Sequence, residues 1–159
     1  MYKRILVPVD GSSASLNGLD EAVRLAKTGG AALRVLHVVD GIAFVGEHSA
    51  FTADAESFRR SGKKMMDDVM SRVRKQPVRA DSLIVENLTG RAADSIVKEA
   101  RKWRADLIVM GTHGRRGFNR FVFGSDAELV VRTAQVPVLL VRGRARSTKA
   151  GARRKKKSR

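Results

Sequence analysis

Gly111, Gly114, Gly124 and Ser125 have the residue types and spacing to hold a phosphate chain. They belong to a loop that follows Ala105 to Met110, an apolar run with the length and branched content of a buried parallel strand. Gly111 marks the end of that run. Ser125-Asp126-Ala127-Glu128 then has the spacing of a capping box, the Ser125 hydroxyl accepting from the Glu128 amide, which predicts a helix starting there. Glycines let backbone amides approach an anion with no side chain between, and the open N–H groups and positive dipole end of a helix favour the same charge. Triphosphate chemistry suits such a cradle. Read plainly, glycines after a strand make a turn and the serine caps a helix. The two readings are compatible, because a hydroxyl can accept from an amide and still donate to a phosphate. No Gly-Lys-Ser/Thr follows the loop, so it is not a P-loop, and the three-residue spacing of Gly111, Gly114 and Gly117 is not the dinucleotide fingerprint.

Other reactive side chains give less. His113 lies between two of the glycines and could titrate near neutrality, but it reads better as a neutral imidazole that orders the loop. His37 sits in an apolar run and reads as a core or ligand-proximal residue; His48 has no partner in sequence, and the histidines lack metal-ligand spacing. No Ser-His-Asp triad or carboxylate pair can be assigned. Arg115, Arg116 and Arg120 could close on a triphosphate through charge-assisted hydrogen bonds or could simply face water, whereas Phe118, Phe121 and Phe123 read as anchors for the loop. Efficient ATP hydrolysis needs an oriented water, a carboxylate-held metal and charge stabilisation on the transferred phosphoryl group. Only a cradle is legible, so nucleotide binding is expected, with hydrolysis slow or absent and no catalytic residue assigned.

The elements that must position these residues alternate. Residues 2 to 9 and 32 to 39 read as strands, and 13 to 28 has helical spacing at Leu16, Leu19, Ala22, Val23 and Ala26 before Gly29-Gly30. Residues 41 to 51 read as a loop, followed by a helix from Ala53 to about Gln76 with Phe58, Met65, Met66, Val69 and Val73 on one stripe. A strand at 81 to 86, a helix at 92 to 103, the strand before Gly111, a helix at 125 to 134 and a strand at 136 to 141 complete the chain. Such alternation predicts one α/β domain, a parallel sheet with helices on both faces.

At these residues the chain resembles the universal stress protein family, specifically its ATP-binding branch, whose motif is Gly, two residues, Gly, nine residues, Gly, then Ser or Thr. Gly111, Gly114, Gly124 and Ser125 match it in full, and the resemblance extends to Lys3 through Ser12, Leu36 through Asp40 and Val136 through Val141. It implies a Rossmann-like five-stranded sheet in the order 3-2-1-4-5, which sets the first and fourth strands side by side at a topological switch point, where open α/β sheets bind ligands. By resemblance, Asp10 contacts the adenosine part of ATP, while Pro8, Val9 and Val38 line the adenine slot. Met110, Gly111, His113, Gly114 and Arg115 belong to the same site, Gly111 and Gly114 offering amides to the ribose and first phosphate, and Gly124 and Ser125 holding the distal phosphates. Mg²⁺ or Mn²⁺ would accompany ATP, with Ser125 helping to bind it. The plainer role for Asp10 is a turn with Gly11 and Ser12, and for Val38 a core position. The family's dimers form through the last strand, so Val136 to Val141 is the expected homodimer edge.

Composition sets outer limits. A chain of 159 residues that is 43% hydrophobic has the size and core of one domain. The absence of cysteine excludes disulfides, thiol catalysis and cysteine-held metals, and suits a reducing cytoplasm, where the protein is expected. Ile5 to Val9 is too short for a secretory core, and no run reaches membrane-spanning length. Of the net charge of +16, ten charges fall in Arg142 to Arg159, which holds no acid, and six in the rest. Residues 1 to 142 are therefore expected to form the nucleotide-binding domain and 143 to 159 a disordered basic tail. That tail could hold nucleic acid or an acidic surface without sequence preference, although no aromatic residue interleaves its charges.

Overall fold

Side chains that alternate along the strands sort the core into two layers. Ile5, Val7 and Val9 face one side of the sheet with Leu33, Val35 and Val109; Leu6, Leu36, Ile108 and Met110 face the other. The computed structural model describes residues 1–40, 51–87, 90–112 and 124–142, the side chains of residues 40 and 51–55 excepted. In chain order the elements are β1 (Arg4–Pro8), α1 (Ser13–Gly29), β2 (Ala32–Asp40), α2 (Phe51–Val73), β3 (Arg79–Asn87), α3 (Ala92–Lys102), β4 (Leu107–Gly111), α4 (Ser125–Thr133) and β5 (Val138–Val141). All four strand pairings are parallel and give the order β3-β2-β1-β4-β5. Helices α1 and α2 cover the Val7 face through Leu19, Ala22, Met66, Val69 and Met70, and α3 and α4 cover the Leu6 face through Ala93, Ile96, Ala127 and Val130. The expected fold class, order included, is the one observed.

The differences are local and have physical causes. Phe58, expected on the buried stripe of α2, is 47% exposed, and the close approach of α2 to the sheet falls at Gly62, over His37. Met70 is buried instead, beside Met66, Val69 and Val73. Strand β3 is longer than expected, since all nine of its residues pair with β2. At the other end of α1, Gly30 takes the left-handed conformation at φ 67°, the helix-terminating role expected of the Gly29-Gly30 pair. Of the expected loop at 41–51, Phe51 instead opens α2, while the rest, with His48, and the basic tail at 143–159 lie outside the described residues. Among the described residues no helix is long and apolar enough to cross a membrane.

One ion cluster interrupts the apolar layer under α3. The Arg34 guanidinium bonds both Asp81 oxygens at 2.8 and 2.6 Å and Glu99 Oε1 at 2.9 Å, and lies 4.8 Å from the Trp103 ring centroid. The Asp81 hydrogen bonds raise the Arg34 pKa above its ordinary value against burial, which lowers it. Glu99 is 5% exposed, so removing Arg34 would leave a buried acid without this ion-pair partner. Replacing Arg34 with Met should therefore lower unfolding stability by about 3 kcal/mol, and adding Glu99→Leu should restore most of the loss. Urea unfolding of both variants beside the parent chain measures this.

Candidate functional site

The C-terminal ends of β1 and β4 meet where the sheet order changes direction. Their register, Ile5 opposite Leu107 and Leu6 opposite Ile108, carries forward to bring Pro8 level with Met110. Beyond it β1 turns into α1 through a compact polar network. Ser12 N–H donates to Asp10 Oδ1 at 2.9 Å, Ser15 N–H donates to Ser12 Oγ at 3.2 Å, and Asp10 N–H donates to Ser15 Oγ at 3.3 Å. Gly11 supplies the positive φ of 81° that this turn requires. Asp10 thus makes the turn contact that was its plainer reading, and that contact fixes the carboxylate at the strand end.

Val9 is 3% exposed and both of its backbone polar groups are engaged. Its N–H donates to Leu36 O at 2.8 Å, and its carbonyl lies 2.8 Å from His37 Nδ1, which must donate to it. His37 is therefore a satisfied core histidine beside the site, and its imidazole is packed so closely under α2 that a Cβ on Gly62 would lie 3.1 Å from Nε2. Val38 is half-buried and Met110 buried, both packed toward the α3 and α4 layer. Pro8 is half-buried.

Gly111 ends β4 beneath the first turn of α1. A Cβ there would lie 2.5 Å from the Ala14 carbonyl carbon and 2.7 Å from Ser15 N, so the bare backbone lets helix and strand touch. Gly18 answers from the helix, its own Cβ position falling 3.2 Å from Gly111 N. Thr112, 2% exposed, donates its N–H to Val141 O at 2.9 Å and accepts from Gly124 N–H at 2.9 Å. The chain thus leaves at Thr112 and returns to it at Gly124. His113, Gly114, Arg115, Arg116, Arg120 and the three phenylalanines lie between these points, outside the described residues.

The capping box expected at Ser125 is corrected by one residue. Gly124, extended at φ −61° and ψ 146°, is the N-cap, and its carbonyl accepts from Glu128 N–H at 3.0 Å. Ser125 is accordingly the first helical residue. The anchoring of Gly124 N–H on Thr112 O sets the entry of the chain and so the first turn. The consequence for anion binding is specific: the Gly124 amide is committed inside the protein, and the first amides of α4, beginning at Ser125, are those a helix leaves unpaired. Asp126 Oδ1 accepts from Ala93 N–H at 3.3 Å, joining this end of α4 to the first turn of α3. Arg59, on α2, pairs with Glu86 at 2.7 and 2.8 Å near the same end of the sheet, which holds the Glu86 carboxyl below its usual range.

The structure therefore brings Pro8, Val9, Asp10, Val38, Met110, Gly111, Gly124 and Ser125 to one end of the sheet. Sequence reasoning missed Ser15, Gly18, Gly62 and Thr112. Glycines inside helices carry a signal, since their intrinsic cost calls for a close contact in return. Among the described residues no group of three or more His, Asp or Glu could hold a metal.

A doubly wound α/β sheet with a glycine-bounded loop at its switch point is a ligand-binding architecture. Residues 1–142 match the model of the universal stress protein family, and the chain belongs to that family. It is 36% identical over 144 residues to the universal stress protein MJ0531 of Methanocaldococcus jannaschii, covering 89% of this chain and 83% of that protein. The solved universal stress protein UspA of Lactobacillus plantarum superposes with a TM-score of 0.78 at 28% identity, over 89% of this chain and 98% of that one. A universal stress protein of Archaeoglobus fulgidus solved in complex with dAMP shares the fold, with a TM-score of 0.55 at 23% identity, over 88% of this chain and 98% of that one.

Replacing Gly111 with Ala should separate α1 from β4 and lower stability by about 3 kcal/mol, because the new methyl meets backbone that cannot rotate away. Gly30→Ala, where nothing lies within 4 Å, should cost about 1 kcal/mol, the strain of its left-handed backbone alone. Denaturant midpoints for the two variants test the contrast.

Proposed function

We propose that the chain is an ATP-binding regulatory protein of the stress response, in which bound nucleotide alters a surface read by other proteins. The observation that carries this reading is the convergence of Asp10, Gly111 and the first turn of α4 on the β1/β4 switch point, around a loop closed by the Gly124 to Thr112 hydrogen bond. Adenine would lie against Pro8, Val9, Val38 and Met110. Because the backbone groups of Val9 already have protein partners, shape rather than Val9 hydrogen bonding would select the base there. Asp10 would meet the ribose, and His113, Gly114 and Arg115 would complete the enclosure. The distal phosphates would face the amides opening α4, with the Ser125 hydroxyl as a further donor. The dAMP held by the Archaeoglobus fulgidus protein fits an adenine nucleotide as the ligand class. If ATP is bound with Mg²⁺ or Mn²⁺, the Ser125 hydroxyl would help to hold the ion. The absence of cysteine suits the cytoplasm, the compartment we assign. Turnover by a slow ATPase or phosphotransferase on the same site is the alternative, and steady ATP in the presence of purified protein counts against it.

Titration calorimetry with ATP and Mg²⁺ tests the reading. Saturable binding is expected for the parent chain and its loss for Gly124→Val, whose isopropyl group would stand at the base of the cradle while a φ of −61° leaves the backbone unstrained. Absence of binding by the parent chain overturns the proposal.

Assembly follows from the two sheet edges. β3 is guarded by the charged side chains of Arg79, Asp81 and Glu86, whereas β5 is short and apolar, Val-Leu-Leu-Val. Ile108 N–H bonds Pro137 O and Thr112 N–H bonds Val141 O, so Val138 and Leu140 direct their backbone groups to the free edge. We propose that two copies pair through Val136 to Val141. Leu140→Pro deletes an outward N–H while sparing the ladder to β4, and sedimentation should show a dimer for the parent chain and a monomer for this variant.

A further inference from the structure

We infer that the end of the domain opposite the candidate nucleotide site is a docking surface for the phosphate backbone of nucleic acid. In a parallel sheet wrapped by returning helices, the strand starts and the helix ends share one pole. Here Arg79 opens β3, Lys27 closes α1, Arg74 and Lys75 follow α2, and Arg101 and Lys102 close α3. All six are exposed, and none forms an ion pair with a carboxylate among the described residues. Hydrogen bonds stitch these elements into one surface: Arg79 Nη2 donates to Gly30 O at 3.3 Å, Ala32 N–H to Lys3 O at 2.9 Å, and Arg4 Nη1 to Trp103 O at 3.0 Å.

Most acids near this pole are engaged, the exposed Asp67 and Asp68 of α2 excepted. Asp106 accepts from the Lys3 and Arg4 amides at 2.7 and 2.9 Å, Glu21 pairs with Arg24, Asp81 and Glu99 hold Arg34, and Asp20 lies 3.6 Å from Arg72. The six cations, outnumbering these two acids, face solvent as a net positive field. Complementing helix dipoles explains a cation in a last turn, as for Lys27 and Arg101. It does not explain Arg74 and Lys75, which lie past the end of α2, or Arg79, which begins a strand.

Size and chemistry favour a nucleic acid. The strand starts from β3 to β4 span three strand spacings, about 14 Å, over which a duplex presents roughly eight phosphate charges. A membrane surface would call for a continuous set of apolar side chains among the cations, whereas the large exposed apolar residues at this pole among the described residues are Met1 and Tyr2. This surface is distinct from residues 143–159, which follow β5 at the other end of the sheet, and from the proposed ATP site.

The test measures binding of the full chain to a short labelled DNA duplex of arbitrary sequence, by anisotropy across a salt series. Reversing Arg74, Lys75, Arg101 and Lys102 to Glu should weaken binding by more than about tenfold and make the salt slope shallower by about 3. The same loss should appear in a chain whose Arg153 to Lys157 run is replaced by Gln, which separates the pole from the tail. Unchanged affinity and slope in the reversed variant overturn the inference, as does absence of duplex binding by the parent chain. Tighter binding to vesicles of phosphatidylserine and phosphatidylcholine than to duplex at the same salt also overturns it. ATP titration of the reversed variant is expected to match the parent, so failure of the nucleotide reading and failure of this one are read separately.

Discussion

The missing side chain at position 111 sets the spacing on which the site depends. With no Cβ on Gly111, the first turn of α1 comes to rest on the end of β4, where an alanine methyl would stand 2.5 Å from the Ala14 carbonyl carbon. That contact locates the β1 turn, because Ser12 and Ser15 are at once the first residues around the helix start and the partners of Asp10. It also fixes where the glycine loop leaves the sheet, since Thr112, the next residue, is buried and bonded to β5. Two segments about a hundred residues apart are thereby held in one geometry by backbone packing, the least adaptable kind of contact a protein makes.

Much of this is legible in the amino-acid sequence. Alternation of branched-apolar runs with helical stripes requires a parallel sheet, and the strand boundaries follow from where those runs meet glycine, proline or charge. The residues at the ends of β1 and β4 could be named because the family resemblance implied the strand order, from which the switch point follows. Three features were not legible, each for the same reason. Whether Gly124 or Ser125 caps α4 depends on a hydrogen bond to Thr112, on the far side of a loop. His37 could be placed in the core, but its bond to the Val9 carbonyl and the accommodating Gly62 come from three separate elements. The Arg34 cluster joins residues 47 and 65 positions apart. Local pattern reports the period of an element and its signals for starting and stopping; it carries no record of which distant atom completes a valence.

The domain is also polarised. One end gathers backbone amides and a helix opening, which suit an anionic group, beside a fixed carboxylate, which suits a hydroxyl donor. The other gathers flexible cations on the ends of four elements, features that suit an extended polyanion held by charge. The sheet between them is apolar on both faces and, near the cationic end, its α3 face carries the Arg34 cluster. Hydrophobic burial supplies most of the driving force for the fold, which leaves both ends free to carry polar groups without weakening the centre.

Thr112 and Gly124 are joined by a hydrogen bond between the two ends of the loop they bound, so the anchorage of that loop does not rely on the path taken between them. Closure entropy grows only logarithmically with the number of residues enclosed. Doubling the intervening length would add only about 0.6 kcal/mol. The fold thus tolerates lengthening at this place, and a foreign peptide spliced between the two anchors would report, through its own ordering, on events at the switch point. The pair of anchors, Thr112 and Gly124, is, architecturally, an insertion port.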